Sequence, residues 1–239
     1  MWPFFTFYGG KWRAAPHYTP PAYETIIEPF AGAAGYSVRW PRKKVILVEK
    51  DPKVAAVWRY LIKANEKEIL GIPLIKMDQS VDDLPVCEEI RYLVGFWLNK
   101  ATASPCKTPG AWMREGLRPK SFWGPDIRDR VARQVESISH WKLIEGGYEE
   151  APNIEATWFV DPPYQKAGKL YRYNSSKINF SELADWCKKL SGQVTVCEND
   201  GADWLPFEYF RDIKSTEGRS GKSKSKEAVW KNDHWSFLV

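Results

Sequence analysis

Histidine is scarce in this chain, with three in 239 residues, and the four cysteines, Cys87, Cys106, Cys187 and Cys197, are scattered with no CxxC pair. That spacing argues against a structural zinc site, so no metal is expected. Isolated thiols of this kind suit a reducing cytoplasm. No run approaches the ~20 apolar residues of a membrane span. The opening Met1-Trp2-Pro3-Phe4-Phe5 lacks the basic start and apolar stretch of a signal peptide. A cytoplasmic protein without a membrane partner is therefore expected. The chain has no internal repeat. It also lacks both the GxGxxG pattern and the P-loop lysine, so a pyrophosphate ligand is not favoured.

What is present is an apolar fraction of 44%, enough for a real core, in a length that suits one large α/β domain or a domain with an inserted lobe. Aromatic residues make up 15%, including 13 Trp. Such rings fill cores, but they also stack on bases or line clefts. The net charge of +5 fits a polyanionic partner.

Apolar periodicity predicts strands at Tyr23–Ile27, Lys44–Val48, Ala156–Val160 and Gln193–Cys197, with a further short strand at Ile72–Ile75. Helical spacing covers Pro52–Ala64, Val86–Asn99, Asp126–Trp141 and Phe180–Leu190, the last with Ser181 as its expected N-cap. A terminal hairpin is expected from 207–213 and 227–237, with a basic tip over 219–226. Alternating strands and helices predict a mostly parallel sheet with ligands at the strands' C-terminal ends.

Four turns carry chemistry. Phe7-Tyr8-Gly9-Gly10-Lys11 combines a tight turn with a cation. Glu28-Pro29-Phe30-Ala31-Gly32-Ala33-Ala34-Gly35 follows the first strand, and small residues at a strand-to-helix junction let a cofactor lie on bare backbone. Glu49 ends the next strand, about 20 residues on, where an acid can hold a ribose diol. Asp161-Pro162-Pro163-Tyr164 ends a buried strand. Its prolines stiffen the backbone and donate no hydrogen bond. A carboxylate, a free carbonyl and an aromatic face are thus offered together, as a planar group bearing an NH2, such as adenine, requires. Each turn alone also reads as ordinary turn chemistry. Asp78 or Asp82, near the end of the short strand, could accept from a cofactor base, or simply be a solvated loop acid.

Taken in order, these motifs resemble the Dam-like DNA adenine methylases. Gly95-Phe96-Trp97-Leu98-Asn99-Lys100 and Cys197-Glu198-Asn199 are similar to a phage- and prophage-associated branch of that family. The resemblance implies an S-adenosylmethionine-dependent methyltransferase fold, with residues 1–83 and 149–239 as the catalytic domain and 84–148 as an inserted helical and loop lobe for DNA recognition. It implies a cofactor site made by Tyr8, Gly9, Gly10, Lys11, Glu28, Pro29, Phe30, Gly32, Gly35, Glu49 and Asp161. Phe30, Gly32 and Gly35 would cradle the cofactor, Glu49 would hold the ribose hydroxyls, and Lys11 would pair with the cofactor carboxylate or support the turn. Asp161, Pro162, Pro163 and Tyr164 would form the active site, where Tyr164 stacks on an adenine flipped from duplex DNA. Lys107, Arg114, Arg118, Lys120, Lys169, Arg172, Lys222 and Lys224 are the expected DNA contacts, and a monomer is the expected state. The sequence departs from the family pattern in having Glu49 where Asp is usual and Ala34 where Gly is commoner. Methyl transfer to another amine (cytosine, RNA or a protein amide) and a catalytically silent DNA-binding protein of this fold stay open at this stage.

Overall fold

A computed structural model describes residues 1–100, 102–117, 119–214 and 224–232. Its frame is a seven-stranded sheet in the order β3-β2-β1-β4-β5-β7-β6. The strands are β1 (Thr25–Glu28), β2 (Lys44–Glu49), β3 (Lys142–Glu145), β4 (Ala156–Val160), β5 (Gly192–Asn199), β6 (Glu208–Lys214) and β7 (Lys224–Lys231). The first five run parallel; β7 pairs antiparallel with β5, and β6 antiparallel with β7. This mostly parallel α/β sheet, flanked by helices, is compatible with a Rossmann-like fold.

Successive strand residues point to opposite faces, and the core divides accordingly. Ile26, Leu47, Phe159 and Cys197 join one apolar cluster, with Phe4 and Phe5 of the N-terminal segment, α1 (Pro52–Lys63), α3 (Glu88–Phe96) and α5 (Pro125–Val135). Their neighbours Ile27, Val48, Trp158 and Val196 join the other, beneath α6 (Phe180–Lys188). Both faces of the central strands are covered, so Ala156–Val160 reads as an unbroken apolar run and is buried throughout. Asp51 caps α1 by accepting from Lys53 N, and Pro52 occupies the first turn, where a missing N–H does no harm. The minor helices α2 (Glu66–Leu70) and α4 (Ala111–Arg114) complete the set of α-helices among the described residues.

Several expectations change. Ile72–Ile75 is not a strand. Ile72 and Ile75 do bury, but Pro73 has no N–H for a ladder and its carbonyl accepts from Trp123 Nε1 at 2.9 Å. The third parallel strand is instead Lys142–Glu145, paired with β2 from Ile46–Lys142 to Glu49–Glu145. It sits at the sheet's edge, where two half-buried residues between charged ones are enough. That strand lies inside the expected lobe 84–148, and Leu93, Val94, Ile127 and Val131 from the same stretch pack in the main core.

No α-helix follows the Gly-rich turn. The connection to β2 holds only a 3₁₀ turn, Ser37–Arg39. Gly32 (φ 45°) and Ala34 (φ 47°) adopt left-handed backbone that interrupts a helix, and Pro41 closes the stretch. The α5 helix ends at Val135 and tightens into a 3₁₀ turn at Glu136–Ile138. Asn179, not Ser181, caps α6: its side chain accepts from Ser181 N and Glu182 N. The terminal hairpin is present, but β7 begins at Lys224, inside the basic stretch; 215–223 and 233–239 lie outside the described residues.

Candidate active site

Three of the chemically suggestive turns sit where the sheet topology sends them, at the C-terminal edge of β1, β2 and β4. There they line a cavity of about 370 Å³, a size in the range of small-molecule sites. All the residues named above as cofactor contacts line it, from Tyr8 through Glu49 to Asp161. Pro163 joins them. A second cavity, of about 600 Å³, shares Tyr8, Gly9, Gly10, Lys11, Gly35 and Asp161 with the first. Asp161 and Lys11 therefore stand at the junction of two adjoining spaces. Tyr164 faces only the second, and Pro162 is buried and lines neither.

The Gly-rich turn is held at both ends. Ala31 N bonds to Val48 O at 3.1 Å, and Trp58 Nε1 donates to Gly32 O at 2.7 Å. Glu49 accepts from Gly32 N (2.8 Å) through Oε2 and from Asp51 N (2.8 Å) through Oε1. The Lys50 N–H also favours the charged carboxylate, which keeps acceptor capacity for a ligand hydroxyl. Glu28 is buried and accepts from Ser37 N at 2.6 Å, which ties the far end of the crossover to β1. Gly35 is required by close approach: a Cβ there would lie 2.6 Å from Trp12 N and 2.7 Å from Lys11 N. The contact of the first motif with the Gly-rich turn thus depends on a missing side chain. Phe30 stacks on Tyr148, with ring centroids 5.4 Å apart.

Lys11 is buried, and its ammonium lies 2.7 Å from Asp161 Oδ1, 3.7 Å from Glu227 Oε1 and 4.7 Å from the centre of the Tyr164 ring. It also donates to Gly9 O at 3.3 Å. Glu227 Oε1 accepts from Tyr18 (2.7 Å) and Tyr164 (2.6 Å) hydroxyls. The ring of Tyr164 is thus anchored at its hydroxyl and carries a cation on one face. Glu198 secures the next residues, accepting from Gln165 N at 2.9 Å and Trp204 Nε1 at 3.0 Å.

Burial sets the acid–base state of this site. It pushes Asp161 up to about 6, against the opposing pull of Lys11 and with help from Glu227. It pushes Glu49 up to about 7 and Glu28 up to about 8, although backbone N–H groups favour their charged forms. Burial alone would lower the Lys11 pKa, but Asp161, Glu227 and Cys197 outweigh it and hold it raised. Tyr164 is raised by burial and by the carboxylates of Asp161 and Glu227, so its hydroxyl stays a donor. The first cavity carries six acids, Glu28, Glu49, Asp51, Glu149, Asp161 and Glu182, against the bases Lys11, Lys50, Arg172 and Lys177. Of these acids Glu28, Glu49, Asp51 and Asp161 are buried or half-buried, and a cationic ligand centre beside them would favour their ionised forms.

The other expected residues separate. Lys120 and Arg172 line the second and first cavities respectively. Lys107 is exposed and paired with Asp82 at 2.7 Å; Arg114 donates to Pro109 O; Lys169 is exposed, and these three line neither cavity. Arg118 and Lys222 fall outside the described residues, and Lys224 is the first residue of β7. Asp78 and Asp82 line neither cavity, because the strand expected to present them does not form. The corresponding wall comes from Gly146, Gly147, Tyr148 and Glu149, directly after β3. Sequence reasoning missed that wall and Glu227; the Gly-Gly pair at 146–147 was the signal available for the former. Among the described residues no group of three or more His, Cys, Asp or Glu is placed to hold a metal, and no helix is long and apolar enough to cross a membrane.

No protein-family model matches the chain, and no curated protein matches it.

Proposed function

We propose that the chain is a DNA adenine methyltransferase that uses S-adenosylmethionine and acts on the exocyclic amine of an adenine turned out of the duplex. The observation that carries this reading is the position of Asp161, whose carboxylate borders two adjoining cavities. One cavity offers an acid-rich wall, two aromatic rings and a Glu49 carboxylate with spare acceptors. Those features fit a ligand with a cationic centre, a diol and a planar base.

When bound, S-adenosylmethionine supplies an electrophilic methyl group on a cationic sulfur. The chain's own residues do the rest. An adenine amine is a weak nucleophile because its lone pair is delocalised into the ring. Asp161, as carboxylate, accepts an amine hydrogen and favours the tetrahedral form in which that lone pair is localised. Lys11 keeps the carboxylate charged and fixed. Glu227 fixes Lys11 and Tyr164 in turn. The amine proton is released to Asp161 or to water, so no histidine is needed. Much of the acceleration is positioning between the two cavities. Tyr164 lines the second cavity, where its ring stacks on the base, a contact worth ~1–3 kcal/mol per base.

The deciding experiment incubates the protein with isotopically labelled cofactor and DNA free of methyladenine, then identifies labelled nucleosides by mass spectrometry. Label on adenine supports the reading. Label on cytosine moves it to another base, and absence of cofactor binding by calorimetry removes it.

A further inference from the structure

Arg130 lies outside every motif considered so far. It is on α5, and its guanidinium carbon is 5.3 Å from the ring centres of both Trp2 and Trp97. Trp2 is held in place: its N and O bond to the Gln134 side chain at 3.1 and 2.8 Å, and its ring stacks on Trp12 at 4.7 Å. Trp97 is fixed by its Nε1 bond to Phe4 O at 2.9 Å. A guanidinium within cation–π reach of two indoles is restrained by both, and its N–H groups are left to bind something else. Among the described residues Arg130 makes no hydrogen bond or ion pair, and its Nε is buried without a partner. Burial lowers its pKa, and Asp126, one turn earlier on α5, offsets that only in part. Arg130 is half-buried, and a desolvated Nε–H without an acceptor is costly until one arrives.

Arg130, Trp2 and Trp97 line the second cavity, the one that also holds Asp161 and Tyr164. Arg13 and Lys120, both exposed, line it as well. We propose that Arg130, braced between Trp2 and Trp97, is an anchor for a backbone phosphodiester of the nucleic-acid strand whose base enters this cavity. The fork geometry of guanidinium matches two phosphate oxygens, and the indole brace fixes it before binding. Such a contact sets the register of the strand without reading its sequence. The proposal rests on the nucleic-acid reading of the preceding subsection.

The test compares wild type with Arg130→Met, which keeps an unbranched stem between the indoles. Binding to short duplex oligonucleotides of unrelated sequence is measured from about 50 to 200 mM salt. The expected result is a slope of log K against log salt shallower by about 1 in the variant, on every sequence. Cofactor affinity by calorimetry and the far-ultraviolet circular dichroism spectrum should be unchanged. An unchanged slope in a folded variant overturns the proposal. If the Met variant does not fold, Arg130→Lys carries the test: a point charge should keep the slope but weaken binding on every sequence, and wild-type affinity would overturn it. Thermal shift with inorganic phosphate separates the two phosphate sources. A shift in wild type that is absent in the variant would reassign the site to free phosphate. A variant-dependent slope without methyl transfer would keep this inference and remove the proposed function. Methyl transfer with equal slopes would do the reverse.

Discussion

Lys11 Nζ lies 2.7 Å from Asp161 Oδ1, so a buried cation from the first motif of the chain neutralises the acid of the last. Removing one partner of a buried pair leaves an uncompensated charge, at a typical loss of about 3–5 kcal/mol. Glu227, 3.7 Å from the same ammonium, softens the loss when Asp161 is the residue removed. Asp161→Ala is therefore expected to fold and retain cofactor binding by calorimetry, while methyl transfer in a radiolabel assay falls to background.

Methyl transfer by the intact protein should depend on pH through Asp161. Its folded pKa is raised to about 6, and the working form in the proposed reaction is the carboxylate. Turnover is then expected to fall as pH drops through about 6, and a rate profile on cofactor-saturated enzyme checks this. The groups acting on Asp161 are Lys11, which lowers its pKa, and Glu227, which raises it. Lys11→Met should move the acid limb to higher pH, and Glu227→Gln should move it to lower pH. A pair of residues with merely structural roles would shift neither limb.

Stability should also depend on pH, in the direction set by buried carboxyls. Glu28 and Glu49 have folded pKa values raised to about 8 and about 7 from the ordinary 4.5. The folded state binds more protons across that window, so the stabilisation is complete below about 4.5 and is lost as pH rises through 7 to 8. The loss is at most about 1.4 kcal/mol per pH unit for each group. Glu28→Gln can still accept from Ser37 N and has no charge to bury. Its urea midpoint should change less than that of wild type between about pH 5 and pH 9.

Gly35 gives a steric prediction. A methyl group at this position meets the backbone nitrogens of Lys11 and Trp12 at 2.7 and 2.6 Å, and backbone cannot rotate away. Gly35→Ala should cost about 1–3 kcal/mol, as overpacking does. Because the displaced segment carries Lys11, cofactor affinity by calorimetry should fall together with the melting temperature.

Much of the first cavity was legible in the sequence because its pieces are local. Ala156–Val160 is a buried strand by composition alone, so Asp161 had to emerge at its end. Glu49 follows the strand Lys44–Val48 for the same reason. The pieces that escaped are those whose signal is weak in a short window. Lys142–Glu145 has two apolar residues between charges and becomes a strand only because β2 offers it an edge. Ile72–Ile75 has the stronger β-like pattern but finds no partner in the sheet.

The sequence by itself determined which strands are central, which turns carry small residues and acids, and in what order they come, since each depends on near neighbours in the chain. Only the tertiary structure decided which charges meet. Antiparallel insertion of β7 beside β5 brings the start of β7 to the edge where the parallel strands end, with Glu227 opposite Asn199. That places Glu227 on Tyr18, 209 residues away along the chain, and on Lys11. A buried charge takes the partner that the sheet's strand order delivers, and strand order is a property of packing that no local pattern encodes.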